Sequence, residues 1–239
     1  MKRLLAISLF LFLPLATHAG GLDRWFKDQL RQNEGGKQLD SATAADGLKQ
    51  ALEHGTQQAV SLLGRENGYF GDARVKIPLP ENLARVDRTL RKLGQGKTAD
   101  EFVLSLNRAA EAAAPEAKAI FLQVIRQMSV QDAVQIVRGP NDAATAYFRA
   151  HSEAALRDRF RPIVAAATDK VGVTHRYKKF LKEAGPVAKL FDTRSLDLDD
   201  YVTRKALDGL FLRVADEEKR IRQDPVARTT DLLRKVFGS

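Results

Sequence analysis

The chain contains no cysteine, one tryptophan, two methionines and four histidines among 239 residues. Without thiols there are no disulfides, no thiol nucleophiles and no cysteine metal sites. The fold must rest on its hydrophobic core alone, and a chain of this length can bury one large enough. Beyond residue 20 the histidines are His54, His151 and His175, and none pairs at i, i+3 or i, i+4 as a helical zinc motif requires. A Gly-x-Ser-x-Gly elbow, a phosphate-binding loop and a dinucleotide fingerprint are also missing. No cofactor or metal is therefore expected.

Long apolar runs are also scarce, and the single one lies at the start. Lys2 and Arg3 precede the apolar stretch Leu4 to Leu15, and Thr17 and Ala19 place small residues at −3 and −1. This is the order of a secretory signal peptide, with cleavage expected after Ala19. A stretch of a dozen residues is short of the about 20 that a membrane span needs. A lipoprotein anchor would need a cysteine at the cleavage site. The expected location is thus periplasmic or secreted. The expected organisation is a signal peptide over 1–19, a short helix and linker over 20–40, and a helical domain over 41–239.

Acidic residues are in deficit. There are 39 Lys and Arg against 30 Asp and Glu, a net charge of +9. Removing Lys2 and Arg3 leaves 37 against 30, an excess of seven. In an exported protein such an excess favours an anionic membrane surface or polymer rather than nucleic acid, or simply coats a solvated surface.

Helical signals fill the rest of the chain. Thr43…Asp46, Thr98…Glu101 and Ser129…Asp132 have the spacing of capping boxes. Ala114-Pro115 and Asp224-Pro225 are further helix starts. Gly64, Gly94, Gly139, Gly172 and Gly185 fall where helical patterns stop. Helices are predicted near 23–33, 43–63, 80–93, 98–113, 115–127, 130–138, 141–171, 173–184, 197–222 and 225–237. Pro162 should kink or split the long one. The only extended candidate is Arg74 to Ile77, and Pro78 and Pro80 turn that stretch toward a rigid loop. The longest predicted loop runs from Arg65 to Pro80, and 35–40 reads as a linker. Phe102, Leu106, Ala109 and Ala113 form one apolar stripe. Leu198, Val202, Ala206, Leu210 and Val214 form another, widened by Leu207, Phe211 and Ile221. The second stripe is broad enough for a central helix. Gly47, Gly55 and Gly209 interrupt helical patterns at about 1 kcal/mol each, a cost that close packing would justify. The fold class is all-α, a single multi-helix domain after a cleaved signal peptide.

Five stretches carry a more specific likeness. They are Gly47 to Leu52, Val75 to Pro80, Ser105 to Glu111, Tyr201 to Phe211 and Asp224 to Leu233. Together they resemble the bacterial domain-of-unknown-function family 4197 over roughly residues 40–238. The resemblance implies an exported bacterial helical domain, and it implies no activity.

The polar residues that stand out are few. Asn107 and Glu111 flank the apolar stripe of the 98–113 helix one turn apart, with Arg108 lying across it. They either orient a ligand or tie this helix to its neighbours. Arg213 and Glu217, four apart, project within the broad arc of the 197–222 helix. Such a pair is either mutually satisfied or faces a cavity. Arg222, Arg228 and Thr229 either bind an anion beside the Asp224-Pro225 start, or Arg228 closes an ion pair on Asp224 or Asp231. Asp197, Asp199 and Asp200 lack the ligand spacing and glycine of a calcium loop and suit the positive end of a helix.

Three functions fit. The leading one is a periplasmic binding or interaction protein without catalysis, for an amphipathic or acyl ligand. The second is a structural or assembly factor that contacts protein partners. The third is a hydrolase or lyase using Glu111 or Glu217. An apolar-lined cavity favours the first, an exposed apolar patch the second, and convergent acids in a polar cleft the third.

Overall fold

The computed structural model describes residues 41–94, 96–170, 172–190 and 197–223. The signal segment, the linker, the helices at 23–33 and 225–237, and the start at Asp224-Pro225 all lie outside the described residues. Within them the secondary structure is helical, without a strand. The helices are α1 (Ser41–Gly64), α2 (Glu81–Lys92), α3 (Lys97–Ala113), α4 (Ala117–Gln127), α5 (Val130–Arg138), α6 (Ala143–Lys170), α7 (Val173–Ala184) and α8 (Leu198–Gln223). Short 3-10 turns at Ala114–Glu116 and Gly185–Leu190 complete the order.

The two apolar stripes set the packing. Phe102, Leu106, Ala109 and Ala113 on α3 are fully buried, as are Val202, Ala206 and Leu210 on α8. Helix α8 packs against α6, α1 and α3, and α3 packs against α6 and α7. The breadth of the α8 arc thus reflects neighbours on several sides. Phe121 of α4 makes edge contacts with Phe148 of α6 at 5.2 Å and Phe211 of α8 at 6.1 Å. Such rings dominate core energetics. The described helices form one compact domain.

The helix starts divide. Ser129…Asp132 is a complete capping box, with the Ser129 hydroxyl accepting from the Asp132 N–H and the Asp132 carboxylate accepting from the Ser129 N–H. The other two boxes do not form. Helix α1 is already helical at Ser41, so Thr43 lies inside it, and α3 starts at Lys97 after Gly96, so Thr98 is buried in the first turn. Burying Thr98 against the core outweighs one exposed cap. Pro162 does not split α6. It sits on the exposed face, as does Asp158, whose carbonyl it leaves unbonded, while buried Phe160 and Val164 hold both halves on the core.

Among the described residues, 65–80 is the longest irregular segment, as predicted, and Arg74 to Ile77 forms turn and loop rather than strand. The segment doubles back over the end of α1. A Cβ on Gly68 would lie 2.4 Å from the Leu62 carbonyl oxygen and 2.5 Å from that of Leu63. Only glycine fits there.

Candidate functional site

Loops above about 12–15 residues without secondary structure are uncommon and are usually either functional or linker segments. The sixteen residues from Arg65 to Pro80 exceed that length, and the protein fixes them from behind. Asn107, fully buried on α3, accepts from the Ile77 N–H through Oδ1 at 2.8 Å and donates through Nδ2 to the Ile77 carbonyl at 2.9 Å and to the Val103 carbonyl at 2.8 Å. Its amide therefore takes both backbone groups of one loop residue. One turn further, Glu111 accepts through Oε1 from the N–H groups of Tyr69 and Phe70, both at 3.1 Å. Its other oxygen accepts from Arg108, which also donates to Glu66 at 3.0 Å and to Asn67 at 2.9 Å.

The remaining anchors come from α8. The Tyr69 hydroxyl, in a fully buried ring, donates to the Ala206 carbonyl at 2.8 Å, and the Tyr201 hydroxyl donates to the Pro78 carbonyl at 2.9 Å. Burial, then the nearby Glu111 carboxylate, pushes the Tyr69 phenol far above its ordinary value. The Tyr69 ring rests on Gly209, where a Cβ would meet it at 2.8 Å. The close approach that Gly209 allows is thus to the loop rather than to another helix. Gly55 does serve helix packing, with its Cβ position 3.4 Å from the Glu217 Cβ on α8.

Arg213 reaches the same loop. It pairs with Asp72 and, at 3.1 Å, with Asp216, while Arg74 of the loop crosses to Asp216 at 2.8 Å. Arg213 and Glu217 do not satisfy one another. Glu217 pairs with Arg220 at 2.6 Å. The reason is directional: Arg213 extends toward the loop carboxylate, and the exposed Arg220 lies three residues from Glu217. The three residues of α3 do converge once the loop is in place, and Arg108 meets Glu111 at i, i+3 rather than lying across the helix. Arg228 lies outside the described residues.

In front of the loop lies a groove of about 570 Å³. Its apolar lining is Phe70, Ala73, Pro78 and Leu79 from the loop, Ala84 from α2 and Val103 from α3. Its charged lining is Lys76 from the loop, Asp87 and Arg91 from α2, and Asp100 from α3. Arg91 donates to Asp87 at 2.8 Å and also to Asp100. The Asp100 hydrogen bond, then that of Asp87, holds the guanidinium firmly in its charged form. The volume falls within the about 300–1,000 Å³ of small-molecule sites. Asn107, Arg108, Glu111 and Arg213 do not line this groove. They hold the loop that does.

A second buried polar set joins Arg222, which the sequence singles out only as an anion ligand, to Glu218, which it does not single out. Glu218 on α8 accepts from the Ala144 N–H at 2.9 Å, the Thr145 N–H at 2.9 Å and the Thr145 hydroxyl at 2.8 Å. Arg222 binds the same carboxylate at 3.0 Å and donates to the carbonyls of Ile136 at 2.8 Å and Val137 at 3.2 Å. The carboxylate thus caps the start of α6 and the guanidinium caps the end of α5, both matching the helix dipoles. A signal was present: Glu218 and Arg222 continue the i, i+4 stripe of Val202, Ala206, Leu210 and Val214.

The acids at 197–200 act locally. Asp197 caps the Asp200 N–H at 2.9 Å, Asp199 accepts from Thr168 at 2.7 Å, and Asp197 pairs with Arg161 at 2.7 Å. Burial raises the Asp200 carboxyl, but Arg157 and Arg204 together hold it below the ordinary range. Among the described residues no group of three metal-ligating side chains gathers.

No curated protein and no solved structure shows significant similarity to the chain. A family profile, that of a protein of unknown function, DUF4197, matches residues 38–238. That span includes the loop, the α3 residues that hold it and both walls of the groove, and the chain belongs to this family.

Proposed function

We propose that this is an exported, non-catalytic binding protein that holds an amphipathic ligand in the groove between the 65–80 loop and helices α2 and α3. One observation carries the reading. A long irregular segment is fastened by side chains from α3 and α8, and its free side supplies apolar walls with a charged rim. A rigid scaffold presenting a loop is the usual basis of a binding site, and preorganised walls lower the entropic cost of binding.

The alternatives find less support. Among the described residues the exposed large apolar side chains are Leu93, Val130 and Leu212, on three separate stretches. Three such residues give little support to an apolar docking face among the described residues. Glu111 is engaged by two backbone N–H groups and Arg108, and Glu217 by Arg220, so the two acids share no cleft.

Export rests on the order of Lys2-Arg3, the apolar stretch and Ala19, and N-terminal sequencing of the exported protein should begin at Gly20. Native mass spectrometry of the same material tests the groove. A co-purifying mass should appear with the parent protein and disappear in Val103→Trp, which fills the groove with an indole. Val130→Ser should retain it, because Val130 is exposed, does not line the groove and does not hold the loop. The bare chain mass in the parent, under conditions that preserve known ligand complexes, would sink the reading.

A further inference from the structure

The walls of the groove carry opposite charge. On the loop wall, Lys76 holds its Nζ 4.1 Å from the centre of the Phe70 ring and makes no ion pair among the described residues. On the helical wall, Asp87 and Asp100 share one guanidinium, that of Arg91. Two carboxylates around one arginine leave an excess negative charge. The Asp87 Oδ1 atom is buried without a hydrogen-bond partner, so the acceptor capacity that a ligand in the groove can reach lies on the exposed Asp100 carboxylate. Phe70, Leu79 and Val103 lie among these groups as apolar surface.

We infer that the ligand is a short peptide with free termini and apolar side chains, its ammonium group on the Asp87–Asp100 wall and its carboxylate on Lys76. This deepens the binding-site reading and rests on it. A ligand of one charge would leave one wall facing like charge or desolvated without a partner. An acyl chain with an acidic head suits Lys76 but brings a third carboxylate into a groove that already holds two. A zwitterionic phospholipid has both charges in one headgroup, beyond its apolar part. A short peptide has them at its two ends with apolar side chains between.

The test is isothermal titration calorimetry on the full exported protein with alanyl-leucyl-leucyl-alanine, its N-acetylated form, its C-amidated form, and dodecanoate. Lys76→Met and Asp100→Asn are the variants. Both residues are exposed, and circular dichroism checks that the fold survives. The free peptide should bind the parent, and each blocked form should bind about three- to tenfold more weakly, as expected for rim charges. Amidation should cost nothing further in Lys76→Met, and acetylation nothing further in Asp100→Asn, because each pair is then already broken. Equal affinity of free and blocked peptides overturns the inference. Binding of dodecanoate without peptide binding also overturns it, while leaving the groove as a binding site. If no probe binds, the peptide assignment falls, and a bare chain mass in the native spectra takes the groove reading with it.

Discussion

Replacing Glu218 with Gln should destabilise the protein more than any surface change. The carboxylate is buried and accepts two backbone N–H groups, one hydroxyl and Arg222. Glutamine keeps the shape but removes the charge, and its amide nitrogen must face a donor that now lacks an acceptor. Arg222 keeps its bonds to the Ile136 and Val137 carbonyls but loses the charge of the Glu218 carboxylate. Breaking one side of a buried pair costs about 3–5 kcal/mol. For a domain of this size that lowers Tm by about 6–20 °C. Urea unfolding followed by far-UV circular dichroism measures the loss, and hydrogen exchange at Ala144 and Thr145 locates it. The double variant Glu218→Leu with Arg222→Met should be more stable than the sum of its single changes predicts, because no lone charge remains buried. A Glu218→Gln protein within about 0.5 kcal/mol of the parent, the range of ordinary surface changes, would refute the clamp between α5 and α6.

Gly209→Ala should destabilise by about 1–3 kcal/mol despite the better helix propensity of alanine, since the new methyl meets the anchored Tyr69 ring at 2.8 Å and the Val75 Cβ at 3.2 Å; equal or greater stability in urea would contradict the packing described. The Ser129 hydroxyl and then the Ser129 N–H hold the Asp132 carboxyl below its ordinary value. Because its folded value lies below the unfolded one, this contribution is fully present above about pH 3.9 and is lost as pH falls through the folded value. Ser129→Ala should therefore reduce stability at neutral pH, with the difference shrinking in strong acid; a pH-independent difference would count against the box. The excess of basic residues should give weak adhesion to anionic vesicles that disappears at high salt. Co-sedimentation that is equal with neutral vesicles would exclude an electrostatic origin.

The helices were legible because their information is local. An apolar residue every third or fourth position places Val202, Ala206, Leu210 and Val214 on one face whatever surrounds them, and a serine followed three residues later by an aspartate closes its own box at Ser129. The same locality explains the errors. Thr98 carries the spacing of a cap, yet its position against the core made it a buried residue of the first turn. Arg213 and Glu217 were four apart and plausible partners, but partner choice depends on what the tertiary fold brings near: a loop aspartate 141 positions earlier for one, and Arg220 for the other.

By itself the sequence determined the all-α class, the major helices, the irregular segment from 65 to 80 and the family. Composition, periodicity and motif identity are all readable without knowing which segments meet. Only the tertiary structure decided that Asn107, Arg108, Glu111 and Arg213 converge on that segment, and that Glu218 and Arg222 join the end of α5 to the start of α6. Those partners lie tens of residues or more apart in the chain. The groove has the same origin, because its walls come from one loop and two helices whose approach is set by core packing behind them.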